Sequence, residues 1–187
     1  MKVLGLDPGL RRTGWGIIEA HGDRLCYVAA GVIPSKGNLS LAERLVQLYV
    51  GLAKTIADYC PDEAAVETVF VNRNPFSTVK LCHARGIVLL VPAMSGLSVS
   101  EYAPNLIKKA IVGTGHANKI QVALMVCRLL YGYEPQDHDT DDIADALAVA
   151  ICHAHYRTTT IKLNCEEKKH THGIPYMAGG GAGKVDS

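Results

Sequence analysis

The sequence has no C-x-x-C pair, no apolar run long enough to cross a bilayer, almost no excess of charge and few aromatic rings. Each of these absences removes a class of protein. Six cysteines are scattered over 187 residues without paired spacing, in a chain much larger than a disulfide-stapled miniprotein. Reduced thiols in a cytosolic protein are therefore expected. The longest apolar window, residues 86–94, falls far short of the roughly 20 residues a membrane helix needs. No signal-peptide pattern is visible, because the chain opens directly on a strand-like run ending in a charge. A net charge of +1 and a pI near 7.7 exclude a globally basic nucleic-acid binder, so any such contact must come from local patches. What is present, 48% hydrophobic and 20% charged residues, fits one globular domain with a sizeable core.

Periodicity divides the chain into a meander followed by alternating helices and strands. Residues 2–6 read as a strand ending at Asp7-Pro8-Gly9, with an Arg11-Arg12 turn before a second strand and the His21-Gly22-Asp23 turn before a third, 24–32. Ser40 and Glu43 form a capping box ahead of Leu41, Leu45, Leu48, Leu52 and Ile56, one apolar helix face that stops before Pro61. A fourth strand, 63–69, carries Glu67, and a polar loop over 71–75 leads to a helix over 77–91 that Pro92 should end. A strand over 97–102, a helix opened by Pro104, a helix over 118–130, a polar connection over 131–138 and a last helix over 141–155 complete the pattern. The result is an α/β fold with a mixed five-stranded sheet flanked by helices. Periodicity ends beyond Arg157, so residues 1–157 read as the domain. Residues 158–187, polar and then Gly-rich from 162 onward, read as a flexible C-terminal tail.

Three acidic features stand at element ends. Asp7 closes the first strand and Glu67 the fourth, and Asp142 and Asp145 lie three apart at the start of an Ala-rich helix, so that they share a face. Each acid taken alone reads as a cap or a solvated turn, and Asp139 and Asp141 are assigned those roles. Asp145, between Ala144 and Ala146, is harder to dismiss. Together the four would make a cage of hard oxygen ligands suited to Mg²⁺ or Mn²⁺ rather than zinc. Two ions held there would activate a water and stabilise a leaving 3′ oxygen in an in-line attack on phosphorus.

Gly5-Leu6-Asp7-Pro8-Gly9 followed by Thr13-Gly14-Trp15-Gly16 resembles the N-terminus of the RuvC Holliday junction resolvases. Val66-Glu67-Thr68-Val69-Phe70 with Ala84-Arg85-Gly86, Val112-Gly113-Thr114-Gly115 with Lys119, and the run from Asp142 to Ala148 are similar too, in the same order. The resemblance implies an RNase H-like fold, a homodimer and Mg²⁺-dependent resolution of four-way DNA junctions in recombination and repair, with two ions per subunit. It assigns metal binding to Asp7, Glu67, Asp142 and Asp145. It ranks Lys108 and Lys119 first among the basic residues, Lys119 with a catalytic role. It also implies a bacterial cytoplasmic setting beside a junction-binding and branch-migration complex of the RuvA and RuvB type, away from membranes.

Arg73, Lys80 and Arg85 surround the Glu67 loop and would neutralise phosphates, although a lone basic residue is more often a solvated surface charge. Phe70, one of only two Phe residues, suits stacking on an unpaired base. The helix over 77–91 has more apolar residues, Val79, Leu81, Cys82 and Ile87 through Val91, than its own core face needs, which points to a two-fold interface. Two other patterns fail. Gly183-Lys184 is followed by Val185 rather than Ser or Thr, so it is no phosphate loop, and Cys152, His153, His155, Cys165, His170 and His172 match no zinc-finger spacing. A DNA-structure binder without catalysis would need a broken acid set, an RNA nuclease suits the Phe70 loop and the dimer helix less well, and an actin-like phosphotransferase would need a second phosphate loop.

Overall fold

Strand β1 (Lys2–Asp7) alternates its side chains strictly, and that alternation builds the molecule. Val3 faces one side of the sheet, while Leu4 and Leu6 face the other, all fully buried. The computed structural model describes residues 1–68, 75–136 and 141–171, with side chains for all of these except 75–77 and 158–171. β1 pairs antiparallel with β2 (Arg12–His21), which pairs antiparallel with β3 (Arg24–Pro34). On its other edge β1 runs parallel to β4 (Glu63–Glu67), and β4 runs parallel to β5 (Ser98–Tyr102). A two-residue strand, β6 (Leu130–Tyr131), lies parallel to β3, giving a six-stranded mixed sheet in the order β5-β4-β1-β2-β3-β6.

Helices cover both faces. On one face α1 (Leu41–Tyr59) and α2 (Pro75–Met94) bring Leu48, Leu52, Ile56, Ala84, Val88 and Val91 onto Leu4, Leu6, Ile17 and Val66. On the other, α3 (Pro104–Val112), α4 (Lys119–Leu129) and α5 (Asp141–Thr171) pack Ile107, Ile111, Val122, Val126, Leu147 and Ile151 onto Val3, Ile18 and Ala65. Each fully buried Leu, Ile or Val stabilises the fold by roughly 2 kcal/mol relative to exposure. α5 lies unusually close to the sheet. A Cβ on Gly5 would fall 2.1 Å from the Ala146 carbonyl oxygen, and one on Gly14 would fall 2.1 Å from that of Asp142. Glycine on the strands and alanine on the helix therefore set the height of α5 above β1 and β2.

The structure confirms the mixed α/β sheet and the Ser40–Glu43 capping box, which is fully formed. It corrects several boundaries. Pro92 lies inside α2, which runs on to Met94. A proline near the last turn deprives the helix of a single hydrogen bond, and Ser95 closes the end by bonding the Val91 carbonyl through both its amide and its hydroxyl. The sixth strand, Leu130–Tyr131, falls where the expected helix ends and the expected polar connection begins, and is too short to leave a periodic signal. α5 continues to Thr171, well past His155. The fourth strand ends at Glu67 rather than 69. Most of the expected loop over 71–75 and part of the acidic knot, Asp139 and Thr140, lie outside the described residues. Among the described residues no helix is long and apolar enough to cross a membrane.

Candidate active site

Register alone brings two of the acids together. Leu6 pairs with Val66 in the parallel ladder, so the next residues, Asp7 and Glu67, emerge side by side at the rim. Asp7 also pairs with Gly14 across the antiparallel ladder. The backbone of Asp142 rests on Gly14, which sets the first turn of α5 over Asp7. Asp7, Glu67 and Asp145 line a recess of about 530 Å³ with Lys108, Lys119, Pro104, Ile107, Val122 and Ala148. Asp142 opens instead onto a neighbouring recess of about 560 Å³, with Gly9, Arg11, Arg12, Ser35 and Gly37.

The electrostatics of the first recess are unfavourable as they stand. Burial raises the Asp7 carboxyl from an ordinary 3.8 to about 8, and the negative charges of Glu67, Asp145 and Asp142 add to the effect. Glu67 is raised as well, first by burial and then by Asp145, while a hydrogen bond from Asp7 lowers it. A proton held between two carboxyls substitutes for a missing positive charge. Lys119, the first residue of α4, donates to Asp145 at 3.0 Å and stands 3.6 Å from Asp141. That bond raises the Lys119 ammonium above its usual range and keeps it charged. Arg12 Nε meets Asp142 Oδ2 at 2.8 Å. Among the described residues no three His, Cys, Asp or Glu side chains are gathered tightly enough to enclose an ion, and cationic side chains engage two of the four carboxylates. The donor set is nonetheless all oxygen and carries more negative charge than its surroundings balance, which fits a hard divalent cation.

The remaining candidates divide. Lys108 lines the recess and its charge draws Glu67 down. Lys80 is exposed on α2, and Arg85 is half-buried and pairs with Glu101 of β5. Phe70 and Arg73 lie outside the described residues. Sequence reasoning missed Arg12, whose contact with Asp142 spans 130 positions and leaves no local signal beyond the Arg11-Arg12 doublet. It also missed the Asn118–Gln121 capping box, which fixes the start of α4 and with it Lys119.

A mixed sheet carrying carboxylates on the ends of two adjacent parallel strands, with a helix placing more above them, defines an RNase H-like domain with an acidic centre. A model of one family, described as Crossover junction endodeoxyribonuclease RuvC, matches residues 3–153. A protein of that description from Paramagnetospirillum magneticum is 61% identical over 87% of this chain and 96% of its own length. One from Rhodospirillum rubrum is 56% identical over 87% of this chain and 95% of its own. The structure of T. thermophilus RuvC in complex with Holliday junction substrate superposes with a TM-score of 0.77 at 30% identity, covering 86% of this chain and 96% of that one. The yeast mitochondrial Holliday junction resolvase Ydc2, 13% identical with a TM-score of 0.63, shares the fold. The chain belongs to the RuvC family of crossover junction endodeoxyribonucleases.

Proposed function

We propose that this protein is a homodimeric, divalent-cation-dependent endonuclease that resolves four-way DNA junctions by symmetric paired nicks, in homologous recombination and DNA repair. The observation that carries this reading is the rim where Asp7, Glu67 and Asp145 converge, with the Asp7 carboxyl raised to about 8 by burial and by its acidic neighbours. Asp7, Glu67, Asp142 and Asp145 would hold the cation, Mg²⁺ or Mn²⁺, as two ions per subunit. When bound, the ions supply an activated water and charge stabilisation at the leaving 3′ oxygen, so that cleavage leaves a 5′-phosphate. Lys119, fixed by Asp145 and by the cap of α4, presents a full positive charge to the scissile phosphate. Lys108 draws the strand into the recess from the α3 side. Phe70, Arg73, Lys80 and Arg85 extend the DNA contact along the junction.

The two-fold interface is proposed along α2 and α1, where Val79, Leu90 and Met94 on α2 and Val46 and Val50 on α1 are each at least half exposed. Two acidic centres related by that axis match the two-fold symmetry of opposed junction strands. A branch-migration complex of the RuvA and RuvB type is the proposed partner in the bacterial cytoplasm. The test is a labelled four-way junction and a matched linear duplex, each with Mg²⁺ and with EDTA. Paired nicks on the junction alone, and only with Mg²⁺, support the reading, while equal cutting of the duplex overturns it. Leu90→Glu should yield a monomer by sedimentation that no longer makes paired incisions. A wild-type protein that sediments as a monomer at micromolar concentration would remove the dimer.

A further inference from the structure

The second recess has features that the acidic centre does not use. It is lined by Gly9, Arg11, Arg12, Ser35, Gly37 and Asp142. The loop that carries the two arginines is held from several sides. A Cβ on Gly9 would meet the Arg12 carbonyl oxygen at 2.1 Å, so only glycine permits this turn. Thr13 Oγ1 donates to the Gly9 carbonyl at 2.9 Å, and the Ser35 amide donates to the Arg11 carbonyl at 2.9 Å. The Leu10 carbonyl accepts from the Ser35 hydroxyl and, at 3.1 Å, from Arg44, whose Nε also reaches Ser35 at 3.0 Å. Arg11 and Arg12 thus project as exposed side chains from a fixed backbone. Among the described residues the acid on the recess wall is Asp142, which also flanks the acidic centre.

We infer that this recess seats a backbone phosphate of the DNA beside the cleavage centre, and that Arg12 exchanges its Asp142 partner for that phosphate when a cation takes Asp142. The inference rests on the nuclease reading above. The Arg12–Asp142 pair is cheap to break, since the Arg12 side chain is 53% exposed and that of Asp142 23%, and exposed pairs contribute little. Once Asp142 turns to a divalent ion, the guanidinium loses its counter-charge at the edge of a polar recess. A phosphodiester then offers it two oxygens in the planar geometry that guanidinium matches. Arg11, on the same loop, supplies a second charge. Cation and DNA would thereby reinforce each other through a single shared carboxylate, a coupling that works in both directions.

The test measures the affinity of the full chain for a labelled four-way junction and for a linear duplex across roughly 50–200 mM salt. It is run in EDTA and in Ca²⁺, with gels confirming that the strands stay intact. Each lost phosphate contact lowers the slope of log affinity against log salt by about 1. Arg11→Gln should lower it in both conditions. Arg12→Gln should lower it in Ca²⁺ but little in EDTA, where Asp142 already occupies Arg12, and Arg12→Lys should recover the slope. Wild-type slopes in both glutamine variants in Ca²⁺ overturn the phosphate seat. An equal loss in EDTA and Ca²⁺ for Arg12→Gln overturns the exchange. Because a phosphate seat acts on any DNA, it is judged on the duplex as well as the junction. A wild-type protein that shows no preference for the junction would sink the junction reading while leaving the seat to be decided by the slopes.

Discussion

The two ends of β4 carry the same side chain in opposite circumstances. Glu63, at its start, is fully provided for. Its Oε2 accepts from His153 Nε2 at 2.7 Å and its Oε1 meets Arg157 Nη1 at 2.6 Å. The Tyr102 hydroxyl hydrogen-bonds His153 Nδ1 at 2.9 Å, so the buried imidazole is satisfied on both nitrogens. Glu67, four residues on, faces Asp7 and Asp145, and burial raises it above its usual range. Strand β4 and helix α5 supply residues at both ends. The charge balance complete at Glu63 and open at Glu67 fits the second end to the proposed cation site.

The largest effect should come from closing the open end chemically. Asp7→Asn, Glu67→Gln, Asp142→Asn and Asp145→Asn each keep shape and remove charge. Each should cut junction cleavage by roughly 10³-fold or more, about 4 kcal/mol of transition-state stabilisation, while binding persists. Near wild-type cutting by any one of them would take that residue out of the cage. Glu63→Gln should do the reverse. Leaving His153 and Arg157 with an amide should destabilise the fold by about 1–3 kcal/mol, read as a lower Tm, with cleavage per folded molecule unchanged. If it abolishes cutting at wild-type stability, the two ends are not separate in function.

The comparison also has a pH signature. Asp7 holds its proton up to about pH 8 when folded but only to 3.8 ordinarily. Between those values the unfolded chain releases the proton first, so stability present at low pH is lost as pH rises through that window. With a chelator, Tm should fall by roughly 3 °C or more between pH 5 and 8, and Mg²⁺ should restore much of the loss at the alkaline end. Asp7→Asn should flatten the slope. An unchanged slope in that variant would show that the proton resides elsewhere.

Much of the open end was legible in the chain, and little of the closed one. Asp7 and Glu67 stand out because a strand's apolar alternation ends on each, and Asp142 and Asp145 because a spacing of three on a helix is a local rule. Arg12 on Asp142 and His153 on Glu63 are contacts over 130 and 90 positions. Nothing within a window of a dozen residues distinguishes those side chains from surface charge or core. Pro92 misled for a different reason: a breaker placed at the last turn costs a single hydrogen bond and does not stop the helix. The length of α5 was not legible because the apolar periodicity that marks a helix in the sequence ends near Arg157, while the helix itself runs on to Thr171.

The smallest expected effect tests where the closed end stops. The sequence pattern puts the tail at residues 158–187, and helix α5 runs into it as far as Thr171. Among the described side chains of α5, which end at Arg157, the last buried one is Ala154, and Arg157 pairs with Glu63. Helix beyond that point, if it packs on nothing, adds little to a domain whose stability comes from tertiary packing. Residues 162–187 are polar and then Gly-rich, a composition with little apolar surface to bury. Removing 162–187 should therefore shift Tm by no more than about 2 °C, which is under 1 kcal/mol for a chain of this size, and leave junction cleavage at the wild-type rate. A cut made before Arg157 should cost far more, because it opens the Glu63 network. If the shorter deletion costs as much as the longer one, residues beyond 161 pack on the domain, and the closed end reaches further along α5 than its ion pairs show.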